Sequence, residues 1–176
     1  MSFLFLRKPA FNLPDGFTVT APTGCCKTPD NSLESIETAV KYGADTVEFD
    51  LQFTSDGEPV LSHDAPKGNN VTLDEAFRKI STYKNITVNV DVKTTTYLGK
   101  VKELADKHGI TPRVFFTGIF EDNVDTVKRD CPEIPYFLNI GVNKIQSREY
   151  LESLVKKVRD CGAIGINFNK KSATKE

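Results

Sequence analysis

Glu48 and Asp50 alternate within Val47-Glu48-Phe49-Asp50-Leu51, a run with the pattern of a buried β-strand. Residues two apart on a strand face the same way. Two carboxylates side by side repel each other and are costly to desolvate. A hard divalent cation removes that cost, and oxygen ligands suit Mg²⁺ or Ca²⁺. Thirteen residues after Asp50 comes His63, followed by Asp64 at the end of a short strand-like run from Pro59. Further on, Asp91 and Lys93 are again two apart in a β-branched segment. Three acids, one lysine and one histidine can gather around a cation and an anion, with His63 placed for proton transfer. Taken singly, Asp64 reads as a rim residue paired to a neighbour, Lys93 fits equally well as the ion-pair partner of Asp91, and His108 is an ordinary histidine at a helix end.

These residues need elements to hold them. Strand-like segments are expected at 17–21, 46–51, 59–62, 86–92, 113–118, 136–140 and 163–169, alternating with helices at 32–42, 72–80, 98–108, 121–130 and 148–160. Ser32 is a good N-cap, Leu33, Ile36, Val40 and Tyr42 form its helical stripe, and Gly43 ends it. Thr72-Leu73-Asp74-Glu75 is a capping box, and Ser55-Asp56-Gly57 is a turn. Repeated β-then-α units with apolar strands predict a parallel sheet covered by helices. The fold class is therefore α/β, a TIM-type (β/α) barrel with seven strands, one short of closure. In such barrels the chemistry sits at the C-terminal ends of the strands. Glu48 and Asp50, His63 and Asp64, and Asp91 and Lys93 all fall at strand ends.

The chain has 176 residues, 39% hydrophobic and 27% charged, with net charge −1. That suits one domain over 1–176 with its own core. Charge this balanced gives no basic field for nucleic acid. No apolar run approaches the length needed to cross a bilayer, so no stable membrane insertion is expected. The N-terminus lacks the order of a signal peptide, and a cytoplasmic location is the expectation. Cys25, Cys26, Cys131 and Cys161 have no metal-type spacing and are expected to be reduced thiols.

The order of the motifs resembles the glycerophosphodiester phosphodiesterase family. That family reads A-H-R-G, P-E-N-T, G-A-D-x-(I/V)-E-x-D, D-G-x-(P/V)-V-x-x-H-D, a T-L-x-E helix, and a strand with E-x-K. Here the matching pieces are Ala21-Pro22-Thr23-Gly24, Pro29-Asp30-Asn31-Ser32, Gly43-Ala44-Asp45-Thr46-Val47-Glu48-Phe49-Asp50, Asp56-Gly57-Glu58-Pro59-Val60-Leu61-Ser62-His63-Asp64, Thr72-Leu73-Asp74-Glu75 and Asp91-Val92-Lys93. The resemblance implies a divalent cation, Mg²⁺ or Ca²⁺, held by Glu48, Asp50 and Asp91. It implies His63 as one of two acid/base histidines and Lys93 as a phosphate ligand. The substrate class implied is a small-molecule phosphodiester, cleaved to glycerol 3-phosphate and an alcohol.

Two motif positions are lost. Pro22 stands where the family has its first histidine, and Thr23 where it has an arginine. Asp30 and Asp91 each replace a glutamate, so Asp91 reaches one methylene less. Removing a general acid or base costs roughly 10²- to 10⁴-fold. The expected function is therefore a metal-dependent phosphodiesterase with impaired acid/base machinery. The alternative is an inactive relative that binds a phosphodiester or a metal. More distant is a phospholipase-like enzyme forming a cyclic phosphate. Lys170 to Glu176 reads as a unit broken off, so truncation is the first expectation for the missing strand, and closure by a homo-oligomer the second.

Overall fold

The computed structural model describes residues 18–141 and 147–168. The parallel strands are β1 (Thr20–Ala21), β2 (Thr46–Phe53), β4 (Thr87–Val92), β5 (Val114–Ile119), β6 (Tyr136–Asn139) and β7 (Gly165–Asn167), paired in that order. Helices α1 (Leu33–Lys41), α2 (Leu73–Ser81), α3 (Gly99–Lys107), α4 (Val124–Asp130) and α5 (Arg148–Cys161) lie between successive strands. This is the α/β alternation of a TIM-type barrel, open and curled through part of a turn.

One expected barrel strand is something else. β3 (Pro59–Leu61) pairs antiparallel with β2, Leu51 facing Leu61 and Phe53 facing Pro59. The intervening turn explains it: a short reverse turn can only return antiparallel, whereas a parallel crossover needs a dozen residues or more. Six described strands therefore build the barrel wall, and His63 and Asp64 follow a hairpin arm rather than a barrel strand. Most boundaries fall within two residues of expectation. The first strand is shorter, since Thr20 opens it, and the expected 121–130 helix begins as a 3₁₀ turn at Glu121–Asn123. The segment 170–176 lies outside the described residues.

Alternation divides the sheet into two faces. Val47, Phe49, Leu51, Val88, Val90, Val92 and Phe116 are buried on the outer face, in one core with Phe77, Ile80 and Val101 of the helices and Leu98 at the N-cap of α3. Burying such side chains contributes about 1.5–3 kcal/mol each. The alternate positions, Thr46, Glu48, Asp50, Thr87, Asn89 and Asp91, form the inner face and are polar. α1 starts where expected: the Ser32 side chain accepts from Ser35 N–H. Tyr42 departs from its expected stripe. It caps the C-terminus of α1 and is 66% exposed. α2 carries the full capping box of Thr72 and Glu75, so both ends of that hydrogen-bond exchange satisfy orphan amides. α2 and α3 are tied together by Asp74, whose carboxylate meets Lys107 at 2.6 Å and His108 at 2.8 Å. His108 thus holds two helices together. All four cysteines are free thiols, and burial pushes Cys131 up to about 12.

Candidate metal centre

β2 and β4 run parallel in a register that sets Asp50 beside Asp91 and Glu48 beside Asn89. Both strands carry their acids on the inner face, Asp91 one residue from the end of β4 and Glu48 and Asp50 within β2 rather than at its end as expected. One carboxylate oxygen from each of Glu48, Asp50 and Asp91 lies within 4.8 Å of the others. Asp50 is buried, at 5% exposure. Just past the end of β4, the Lys93 ammonium reaches back to Asp50 Oδ1 at 2.8 Å and Asp91 Oδ2 at 2.5 Å. Lys93 therefore partners both acids, where sequence suggested Asp91 alone.

The electrostatics follow from this crowding. Burial pushes the Glu48 carboxyl above its ordinary value, the Thr23 N–H pulls it back, and the charges of Asp50 and Asp91 push it up again. For Lys93, burial opposes the charged form, yet the bonds to Asp50 and Asp91 hold its pKa above the ordinary lysine value. Three carboxylates against one ammonium leave two negative charges in a half-buried space. A divalent cation fits that deficit, and the donor set is the hard oxygen type such ions take.

The residues around the cluster were less visible in the sequence. Asn31 has a left-handed backbone (φ 52°), which asparagine tolerates better than most residues. That conformation aims its amide at Asp50: Nδ2 donates to Oδ2 at 2.9 Å and Oδ1 accepts from Asp50 N–H at 2.9 Å. Asn31 N–H in turn donates to Thr23 Oγ1. Thr23 N–H donates to Glu48 Oε2 at 2.9 Å. On the other side, Thr117 Oγ1 on β5 lies 2.9 Å from Asp91 Oδ1. Asn139 Oδ1 on β6 accepts from Gly118 N–H and from Asn167 Nδ2 on β7. The available signal was polar residues at inward positions of otherwise apolar strands.

Of the remaining candidates, His63 is largely exposed. Its Nδ1 meets Asp64 Oδ1 at 2.9 Å. That bond, made to an acceptor-only carboxylate, leaves Nε2 free and holds the Asp64 carboxyl below its ordinary value. His63 lines a cleft of about 420 Å³ that also includes Asn31 and Lys67, so Asn31 belongs to both cleft and cluster. Pro22 is exposed at the end of β1. Thr23 next to it serves the site through its backbone and its hydroxyl oxygen.

An incomplete (β/α) barrel with three carboxylates and a lysine gathered on the inner face of its sheet defines a class, that of barrel proteins with a candidate divalent-cation centre. Residues 24–108 match the sequence model of the glycerophosphoryl diester phosphodiesterase family. A stretch of 36 residues is 58% identical to glycerophosphodiester phosphodiesterase 1 of Rattus norvegicus and of Homo sapiens. The match covers 20% of this chain and 11% of each of those relatives, so the shared segment is about a tenth of their length. Among solved structures, a phosphodiesterase of Oleispira antarctica in complex with the product sn-glycerol-3-phosphate superposes with TM-score 0.70 at 20% identity, covering 89% of this chain and 76% of that one. A glycerophosphodiester phosphodiesterase of Parabacteroides distasonis gives TM-score 0.60 at 20% identity over 86% and 82%. At these identities the structural likeness establishes the fold, that of an incomplete TIM barrel. Among the described residues no helix is long and apolar enough to cross a membrane.

Proposed function

We propose that this chain is a metal-dependent phosphodiesterase acting on glycerophosphodiesters, releasing glycerol 3-phosphate and an alcohol. The observation that carries this reading is the Glu48, Asp50 and Asp91 cluster bridged by Lys93. Those three carboxylates would hold Mg²⁺ or Ca²⁺. When bound there, such an ion would supply charge neutralisation for a phosphodiester. Lys93 contributes a point charge for a phosphate oxygen. His63 exchanges a proton at Nε2 while Asp64 fixes its ring from Nδ1. The position of Pro22 supplies no second titratable group, and Thr23 offers a neutral hydroxyl in place of a cation, so the activity is proposed to be impaired. The proposal includes a small-molecule substrate, a cytoplasmic setting and the reading of residues 1–176 as one unit.

The test is hydrolysis of a panel of glycerophosphodiesters with and without millimolar Mg²⁺ or Ca²⁺, followed by release of glycerol 3-phosphate. Metal-dependent turnover that disappears in Glu48→Gln supports the reading. Pro22 also favours a second reading, a relative that binds a phosphodiester or a metal without cleaving it. Metal binding with zero turnover, unchanged in Pro22→His, would select that reading.

A further inference from the structure

The sheet curls until its two edge strands border one cavity. Thr20 on β1 and Asn167 on β7, strands that are first and last in the order of pairing, both line a space of about 460 Å³ on the inner face. Closed barrels fill their interior with side chains, whereas this volume falls in the range of small-molecule sites, roughly 300–1,000 Å³. The cavity extends from the acid cluster toward the N-terminal ends of the strands. Asn89, Thr46 and Thr87 line it, and the register sets Asn89 level with Glu48 and the two threonines below it. Thr117 belongs to both regions, lining the cavity while its Oγ1 stands 2.9 Å from Asp91 Oδ1. From Asp91 down to Thr87 the strand runs about 13 Å.

The free surface of this cavity is aromatic. Phe115 on β5 and Phe137 on β6 line it and meet edge to face, with ring centroids 5.6 Å apart and planes at 67°. Both are half-buried. Gly165 on β7 leaves the space that the Phe137 ring occupies, since a Cβ there would stand 2.7 Å from it. The hydroxyls at the lower end are already engaged: Thr46 Oγ1 and Thr87 Oγ1 lie 2.5 Å apart, and Thr87 Oγ1 donates to Asp45 O at 3.1 Å. They have no unmet need for a polar ligand. A phosphodiester carries two organic arms on one anion. With the anion at the cluster, an arm directed down the inner face meets Phe115 and Phe137. We infer that this cavity is a binding site for an aryl or alkyl arm, so that the chain takes amphiphilic phosphodiesters in preference to those polar on both sides. The inference rests on the proposed activity for the place of the phosphate and adds the class of alcohol that the ester carries.

The test is isothermal titration of the full chain, in millimolar MgCl₂, with two phosphonate monoesters of glycerol, one built on benzylphosphonic acid and one on 2-hydroxyethylphosphonic acid. They share the anion and the glycerol arm, differ in the other arm, and have no phosphoester bond there to cleave, so binding is read apart from turnover. The expected wild type binds the benzyl compound about ten-fold more tightly, the scale of one aromatic contact. In Phe137→Ala that preference is lost while the affinity for the hydroxyethyl compound stays. Thr20→Phe, at an exposed position on β1, narrows the cavity and weakens the benzyl compound alone, which decides the matter should Phe137→Ala fold poorly. A merely structural role for either residue would weaken both compounds equally. Equal affinities in the wild type, or a preference that survives both variants, overturns the inference and spares the proposed activity. A preference that holds and responds to both variants, without metal-dependent turnover of any diester, keeps the site and overturns the activity. Absence of binding by either compound overturns the inference.

Discussion

Replacing Lys93 with methionine separates the lysine's two roles. Methionine keeps the length and apolar stem but removes the ammonium that lies between Asp50 and Asp91. The side chain of Lys93 is 22% exposed, against 8% for Asp50 and 23% for Asp91. Breaking a fully buried pair costs about 3–5 kcal/mol, and these exposures reduce that to about 1–3 kcal/mol. For a chain of this size about 2–4 °C accompany each kcal/mol, so the melting temperature without metal should fall by about 2–12 °C. The response to metal should go the other way. A divalent ion then meets three uncompensated negative charges instead of two. An ammonium at about 4 Å repels such an ion by about 2 kcal/mol even in a water-like dielectric, a factor of about 30 in affinity. Thermal melts with increasing MgCl₂ read both effects: a lower starting temperature and a steeper rise than wild type. If Lys93→Met melts with the wild type and its metal affinity is unchanged or weaker, Lys93 does not compete for these carboxylates and the charge argument fails.

Glu48→Gln should behave oppositely, raising the melting temperature at neutral pH while removing the metal-induced rise, since it deletes a carboxylate that burial and two like charges disfavour. The sign is set by linkage: a carboxyl raised in the folded state makes stability fall as pH climbs from the ordinary carboxylate value through the raised one. A pH series of melts should show that slope in the wild type and less of it in Glu48→Gln. Gly118→Ala should cost about 2 kcal/mol or more, because its φ of 76° penalises any side chain by about 1–2 kcal/mol and a Cβ would stand 2.3 Å from Val92 O and 2.9 Å from Asp91 Oδ1; denaturant unfolding measures it, and a wild-type midpoint would count against the described backbone. Asp74 is held below its ordinary value by Lys107 and then His108. Its contribution should be present above the ordinary carboxylate value and fade as pH falls through the lowered one, a slope that Asp74→Asn removes from urea midpoints measured across that range.

Much of the site was legible one residue at a time. The i, i+2 spacing on a strand put Glu48 with Asp50, because the pleat allows no other arrangement, whereas Lys93 lies beyond β4 and reaches back to the acids. Capping chemistry placed α1 and α2 through Ser32 and Thr72. The failures were of pairing. Pro59–Leu61 reads like any apolar strand, and only its partner decides whether it builds the wall or folds back. Tyr42 continues a helical stripe that had already reached its cap. Asn31 stood out only as a motif residue ahead of a helix, because its grip on Asp50 depends on a left-handed backbone and on a residue nineteen positions away.

By itself, then, the sequence determined which residues are acidic, which alternate, and where each helix begins, since these depend on local geometry and side-chain chemistry. The tertiary structure decided what the acids do together. Parallel register brought Asp91 beside Asp50, the lysine beyond β4 bridged them, and donors from the β1–α1 connection and a third strand hold the carboxylates in place. A lone carboxylate on a strand is only a desolvation cost. Three of them, each with one oxygen pinned, make a centre with a shape.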